Sequence, residues 1–135
     1  RKRHFIRSIY EGVCFSLKDC LDLMESAAGM RGGREVRRAI LLGGGSKSRV
    51  WPQILSDVLG IELRKLGAAD AAFGSALIGG LGSGMFSEPQ EAVDRCVRIS
   101  ETIRPDPEGE AFYRQRFAAY RRVHDALAGI YRDLE

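Results

Sequence analysis

The run Ala39-Ile40-Leu41-Leu42-Gly43-Gly44-Gly45-Ser46-Lys47-Ser48 constrains this chain more than any other stretch. An unbroken apolar segment ends in glycines and hydroxyls, and Val50, Ile54, Leu55 and Val58 then recur at helical spacing. That order predicts a buried strand from Val36 to Leu42, a tight turn, and the N-terminus of a helix stopped by Gly60. Ser46 or Ser48 is the expected N-cap, with Pro52 in the first turn, where a missing N–H matters least. Such a junction leaves backbone N–H groups unpaired with partial positive charge behind them, a setting suited to anions. Glycine also lets a flat or bulky ligand lie directly against the main chain.

The remaining elements arrange themselves around this junction. Ile6, Ile9, Val13, Leu17, Leu21 and Met24 form one stripe of a helix over about residues 4–28, interrupted by Gly12 and closed by a loop at residues 29–34. Ile61 to Leu66 alternates apolar and charged residues as a half-exposed strand, so strand, helix and strand make a βαβ unit. Asp70 opens a helix of small residues through Gly80, and Glu88 or Pro89 begins a short helix ending near Val97. Arg104-Pro105-Asp106-Pro107 reads as an extended connector. A last helix over about residues 108–133 carries Tyr113, Phe117, Tyr120, Val123, Leu127, Ile130 and Leu134 as an expected core seam.

With 135 residues, 44% of them hydrophobic, the chain can form one ordinary core. A net charge of +3 with dispersed arginines points away from nucleic acid. No apolar run reaches the ~20 residues needed to span a bilayer, so no membrane role is expected. Cys14, Cys20 and Cys96 lack CxxC spacing, which disfavours a disulfide framework or metal site and makes a reducing cytoplasm the expected compartment. The chain opens Arg1-Lys2-Arg3-His4 without Met and reads as a piece of something longer.

Several chemistries compete for the glycine turn. A phosphate-binding G-x-x-x-x-G-K-[ST] loop matches Lys47-Ser48 but finds Leu41 and Ser46 at its two glycine positions. A dinucleotide G-x-G-x-x-G fingerprint matches Gly43 and Gly45 but meets Ser48 at its third glycine, and Glu62 opens the following strand instead of closing it. A tight glycine turn without any ligand stays open on spacing alone.

The stretch from Gly43 to Gly60, GGGSKSRVWPQILSDVLG, resembles the C-terminal signature of the FGGY carbohydrate kinases, in the form seen in their xylulokinase branch. Glu11-Gly12-Val13-Cys14-Phe15-Ser16-Leu17 is similar to that family's E-G-V-A-F-x-L helix. Ala71-Ala72-Phe73-Gly74-Ser75-Ala76-Leu77 is similar to its A-A-L-G-A-A-L helix, and Arg104-Pro105-Asp106 with Tyr113 and Tyr120 to its tail. One departure is Ala69-Asp70, where the family has an acidic residue followed by glycine.

The resemblance implies an α/β fold, the C-terminal part of an actin-like (ribonuclease H-like) ATPase domain. It implies transfer of the ATP γ-phosphoryl group to a sugar hydroxyl, with D-xylulose or a related ketopentose as acceptor. Gly43, Gly44, Gly45, Lys47 and Ser48 are then the expected nucleotide contacts, and Ala72, Gly74 and Ser75 let the third helix pack close by. ATP with Mg2+ is the implied cofactor, the ions being held mainly by residues outside this segment. No catalytic residue is expected here, because the family's D-x-G-T loops and catalytic Asp lie upstream; Glu11, Asp57 and Asp70 read as solvated or capping groups. The segment alone is therefore expected to be inactive, the C-terminal portion of a second, nucleotide-binding domain. With only two strands evident, the exposed edge is expected to pair with another copy or with the missing part. The alternative is a degenerate, non-catalytic kinase-like module acting through interaction or regulation.

Overall fold

The computed structural model describes residues 2–27, 36–67 and 71–132. Five helices and three strands follow in the order α1 (Lys2–Ala27), β1 (Arg38–Leu41), α2 (Trp51–Leu59), β2 (Glu62–Leu66), α3 (Ala71–Gly82), α4 (Pro89–Cys96), β3 (Ile99–Ile103) and α5 (Pro107–Arg132). The expected loop at residues 29–34, Asp70 and Leu134 lie outside the described residues.

β1 and β2 pair in parallel across α2, with Ala39 beside Leu63 and Leu41 beside Lys65. The βαβ unit read from the sequence is therefore present. The expectation of two strands is corrected by β3, which lies antiparallel on the other side of β2 and sets Ile103 beside Leu63. The connector thought to follow α4 directly is preceded by this strand. Four of the five β3 residues are exposed, so it carries no alternation that would announce it.

One face of the sheet is covered by α2, whose Ile54, Leu55 and Val58 meet Leu41, Ile61, Leu63 and Ile103. Gly60 ends α2 in the left-handed region at φ 70°, as its position after Leu59 predicts. α1 and α5 pack beyond α2. Phe15 of α1 lies against Tyr113, Phe117 and Tyr120 of α5, with ring centroids 6.3, 5.9 and 5.3 Å apart. Arg7 Nη2 donates to the Tyr113 hydroxyl at 2.8 Å, and that hydroxyl donates to Glu11 Oε1 at 3.1 Å.

Three apolar patterns are buried on other terms than periodicity suggests. The α1 stripe of Ile6, Ile9, Val13, Leu17 and Met24 is exposed, and Cys14 and Phe15 are what α1 buries. The α5 seam holds for Tyr113, Phe117 and Tyr120, whereas Val123 and Ile130 are exposed. Val50 is exposed beside the buried face of α2, and Ile40 and Leu42 lie open on β1, so this strand is covered on one face only. α3 has no charged residue from Ala71 to Gly82 and lies largely open. It is held at its end by Gly80, where an added Cβ would come within 2.6 Å of the Phe86 ring.

Candidate functional site

The glycine turn is one turn of 3-10 helix, Gly44–Lys47, placed between β1 and α2. Gly43 enters it at φ 80°, ψ −170°, a conformation essentially reserved for glycine. Its carbonyl accepts from the Ser46 N–H at 3.2 Å and from the Ser46 hydroxyl at 2.6 Å. The Ser48 N–H closes the turn on the Gly45 carbonyl at 3.1 Å. Ser48, extended at φ −67°, ψ 143°, ends the turn and joins it to α2: its hydroxyl accepts from the Val50 and Trp51 N–H groups at 3.3 and 3.1 Å. Neither serine expected to cap α2 is its N-cap, which is Val50; Ser48 bonds the N–H groups at the helix start from two residues ahead of the cap, and Ser46 braces the turn.

The turn borders an open cleft of about 640 Å³ at the C-terminal ends of the two parallel strands. Gly43, Gly44 and Lys47 line it together with Leu42 and Ser46. Gly45 and Ser48 do not; the first lies against Trp51, and the hydroxyl of the second is taken up by the Val50 and Trp51 N–H groups. Above Gly44 an added Cβ would meet nothing within 4 Å. Lys47 is exposed and forms no ion pair among the described residues.

The opposite wall was missed by sequence reasoning. Lys65, Leu66 and Gly67 of β2 and its exit line the cleft with Ser100 of β3. Lys65 Nζ lies 2.8 Å from Glu101 Oε2, and Ser100 Oγ donates to the Lys65 carbonyl at 3.3 Å. Only the parallel register that sets Lys65 beside Leu41 brings this cation to the turn, and no local motif encodes it. The crevice outside the carboxyl ends of parallel strands is where α/β sheets commonly bind ligands. Here it offers bare backbone, an apolar floor from Leu42 and Leu66, and two lysines.

The turn is supported from behind. Cys14, fully buried on α1, belongs to the core cluster against which Trp51 packs, and burial pushes its thiol up to about 12. Burial likewise raises the Tyr113 phenol, although the Arg7 bond counteracts it. Both groups hold their protons more tightly when folded. Their stabilisation is fully present below the thiol's ordinary 9.0 and is lost as pH rises toward about 12. Urea unfolding measured from pH 8 to 11 is therefore expected to show falling stability, with a shallower slope for Cys14→Ala. Equal slopes would mean that the thiol takes no part.

Of the carboxylates expected to be solvated or capping, Glu11 and Asp57 instead hold contacts between helices and connector. Glu11 joins Arg7 and Tyr113 as described, and Asp57 is buried, its Oδ1 accepting from Gln53 Nε2 and from the Asp106 N–H, both at 2.8 Å. Neither lines the cleft, and Asp70 lies outside the described residues. Among the described residues no group of three or more His, Cys, Asp or Glu side chains could hold a metal ion.

Residues 1–83, which include the turn and both parallel strands, match the FGGY family of carbohydrate kinases, C-terminal domain. The chain belongs to that family. Among its FGGY relatives, the xylulose kinase of Staphylococcus epidermidis (strain ATCC 12228) is 27% identical over 134 residues, which cover 98% of this chain and 26% of the relative. The xylulose kinase of Bacillus subtilis (strain 168) is 28% identical over 124 residues, covering 91% and 24%. The autoinducer-2 kinase of Escherichia coli (strain K12) is 36% identical over 92 residues, covering 67% and 17%. The chain thus spans about a quarter of the length of the curated xylulose kinases it matches.

In three dimensions it superposes on ligand-bound xylulose kinase from Lactobacillus acidophilus with a TM-score of 0.81 at 18% identity, over 100% of this chain and 26% of that one. Xylulose kinase from Rhodospirillum rubrum gives 0.78 at 23% identity, over 98% and 26%. These likenesses concern the fold, which is the actin-like α/β fold of the FGGY kinases, here with a small mixed sheet.

Proposed function

We propose that this chain supplies one wall of the nucleotide site of an ATP-dependent sugar kinase, as the C-terminal segment of its second domain. The reaction is transfer of the ATP γ-phosphoryl group to a hydroxyl of D-xylulose or a related ketopentose, in the cytoplasm. The observation that carries this reading is the cleft beside Gly43, Gly44 and Lys47, at the exit of two parallel strands. Gly44 leaves open space for the nucleotide to rest on backbone, and Lys47, which lines the cleft without an ion pair among the described residues, supports a contact with its phosphates. Gly45 and Ser48 contribute by holding the turn in shape.

The residues present suit ATP, for which the cleft has volume, bare backbone and cationic groups. Mg2+ bound with the phosphates neutralises charge developing during transfer. This chain's part is to hold and orient the nucleotide, while sugar contacts, metal ligands and the base belong to the rest of the kinase. By itself the chain is expected to transfer no phosphoryl group.

Titration of the 15N-labelled chain with MgADP tests the reading, because amide shifts detect even millimolar binding. Shifts centred on Gly43, Gly44 and Lys47 are expected. Gly44→Val should abolish them while leaving the fold intact, since its side chain meets only open space, and Lys47→Ala should weaken binding roughly tenfold. Wild-type binding by Gly44→Val would sink the assignment. A full-length kinase containing this segment that phosphorylates no ketopentose or related polyol with ATP would sink the reaction.

The partner reading extends to the sheet edge. β1 has β2 on one side and no other strand among the described residues, and Ile40 and Leu42 stand 58% and 55% exposed on it. Without the rest of the kinase this edge is expected to pair with a second copy. Size-exclusion chromatography should show a concentration-dependent dimer; a monomer at all concentrations would refute self-pairing.

A further inference from the structure

Three consecutive glycines invite one explanation, but their surroundings differ. Gly43 is required by its backbone, at φ 80°. Gly44 is surrounded by open space on the cleft side. Gly45 is packed: an added Cβ would lie 2.6 Å from Trp51 Cζ3, 2.9 Å from Cε3 and 3.3 Å from Cη2. Those atoms belong to a rigid ring, and the ring has little freedom to withdraw. The Trp51 backbone N–H is held by the Ser48 hydroxyl at 3.1 Å, and its ring packs against the core cluster to which the fully buried Cys14 belongs. Trp51 nevertheless does not line the cleft.

We propose that Trp51 is a positioning residue for the nucleotide-binding turn, clamping Gly45 against the core cluster. Gly45 is then glycine for the sake of the tryptophan, and Gly44 for the sake of the ligand. The proposal rests on the nucleotide reading of the cleft for its functional half. Its packing half stands on the contacts alone. Once the ring is removed, a turn four residues long keeps its own hydrogen bonds and the Ser48 bonds to the start of α2 but loses its side-chain packing, and a ligand then has to order it on binding, which lowers affinity.

A double-mutant cycle separates the halves. Gly45→Ala in the wild-type chain forces ring and backbone apart and is expected to lower the melting temperature by roughly 5–10 °C. In a Trp51→Leu background the same change should have almost no effect, because the clashing ring is gone. An equal loss in both backgrounds overturns the clamp.

MgADP binding, read from amide shifts of the turn, tests positioning. Trp51→Leu is expected to weaken it about tenfold, Trp51→Phe to restore most of it, and Tyr113→Phe, which loosens the α1–α5 contact, to leave it unchanged. If Tyr113→Phe weakens binding as much as Trp51→Leu at a similar melting temperature, Trp51 is only a core residue and the positioning role is overturned. If the wild-type chain shows no shifts with MgADP, the nucleotide reading fails and positioning fails with it, while the melting cycle still decides the clamp.

Discussion

Leu63→Ala is expected to lower stability by about 3–4 kcal/mol, within the range measured for buried leucine truncations. Leu63 is 1% exposed, the most completely buried large side chain described. It stands on the central strand with Ala39 on one side and Ile103 on the other. The same core cluster holds Ile54, Leu55 and Val58 of α2. A domain of ordinary stability holds about 5–15 kcal/mol, so this single change removes a large share of it. Urea unfolding should show a lower midpoint at an unchanged slope. Ile40→Ala, on the same sheet but 58% exposed, is the natural control and should shift stability by less than about 0.5 kcal/mol. If the two variants lose stability equally, the core does not lie between α2 and this face of the sheet.

Asp57→Ala should cost about 2–3 kcal/mol, and Asp57→Asn markedly less. Asp57 is 7% exposed and connects two helices through the start of a third segment. Its Oδ1 accepts the Asp106 N–H, and Asp106 Oδ2 in turn accepts the Gly109 N–H at 3.2 Å, which caps α5 ahead of Pro107. Alanine leaves the Asp106 N–H without its acceptor and releases the first turn of α5 from α2. Asparagine keeps an acceptor at the same place. Gly109 belongs to the same arrangement, since an added Cβ would lie 2.6 Å from Asp57 Oδ2. Thermal unfolding by circular dichroism reads all three positions, and equal melting temperatures for Asp57→Ala and wild type would remove Asp57 from the account.

Much of this was legible before any coordinates, and the exceptions have physical causes. The apolar run into Gly43 and the helical spacing after it are local signals, so β1, the turn and α2 follow from residues a few positions apart. β3 was not legible because only Ile103 of its five residues is buried; its identity as a strand comes from pairing with β2. α1 was legible as a helix but not in its orientation. Apolar residues occur on more than one of its faces, and the aromatic partners of Phe15 lie on α5. Asp57 looked like an ordinary surface carboxylate because its partner Asp106 is 49 residues away. For the site, the glycine wall could be read from spacing, whereas Lys65 and Ser100 reach it through strand register. The division of labour among the three glycines depends on where Trp51 packs, which no spacing rule contains.

The hydrogen bond between Arg7 and the Tyr113 hydroxyl joins residues 106 positions apart. During synthesis, Arg7, Glu11 and Phe15 emerge long before Tyr113, Phe117 and Tyr120 exist to cover them. Local helix formation does not shorten that wait, because the missing partners are far along the chain. A partly made chain therefore carries the aromatic seat of α1 uncovered until α5 has been added as far as Tyr120. The period of exposure to aggregation is set by the sequence distance from Phe15 to Tyr113 more than by the strength of the core that finally forms.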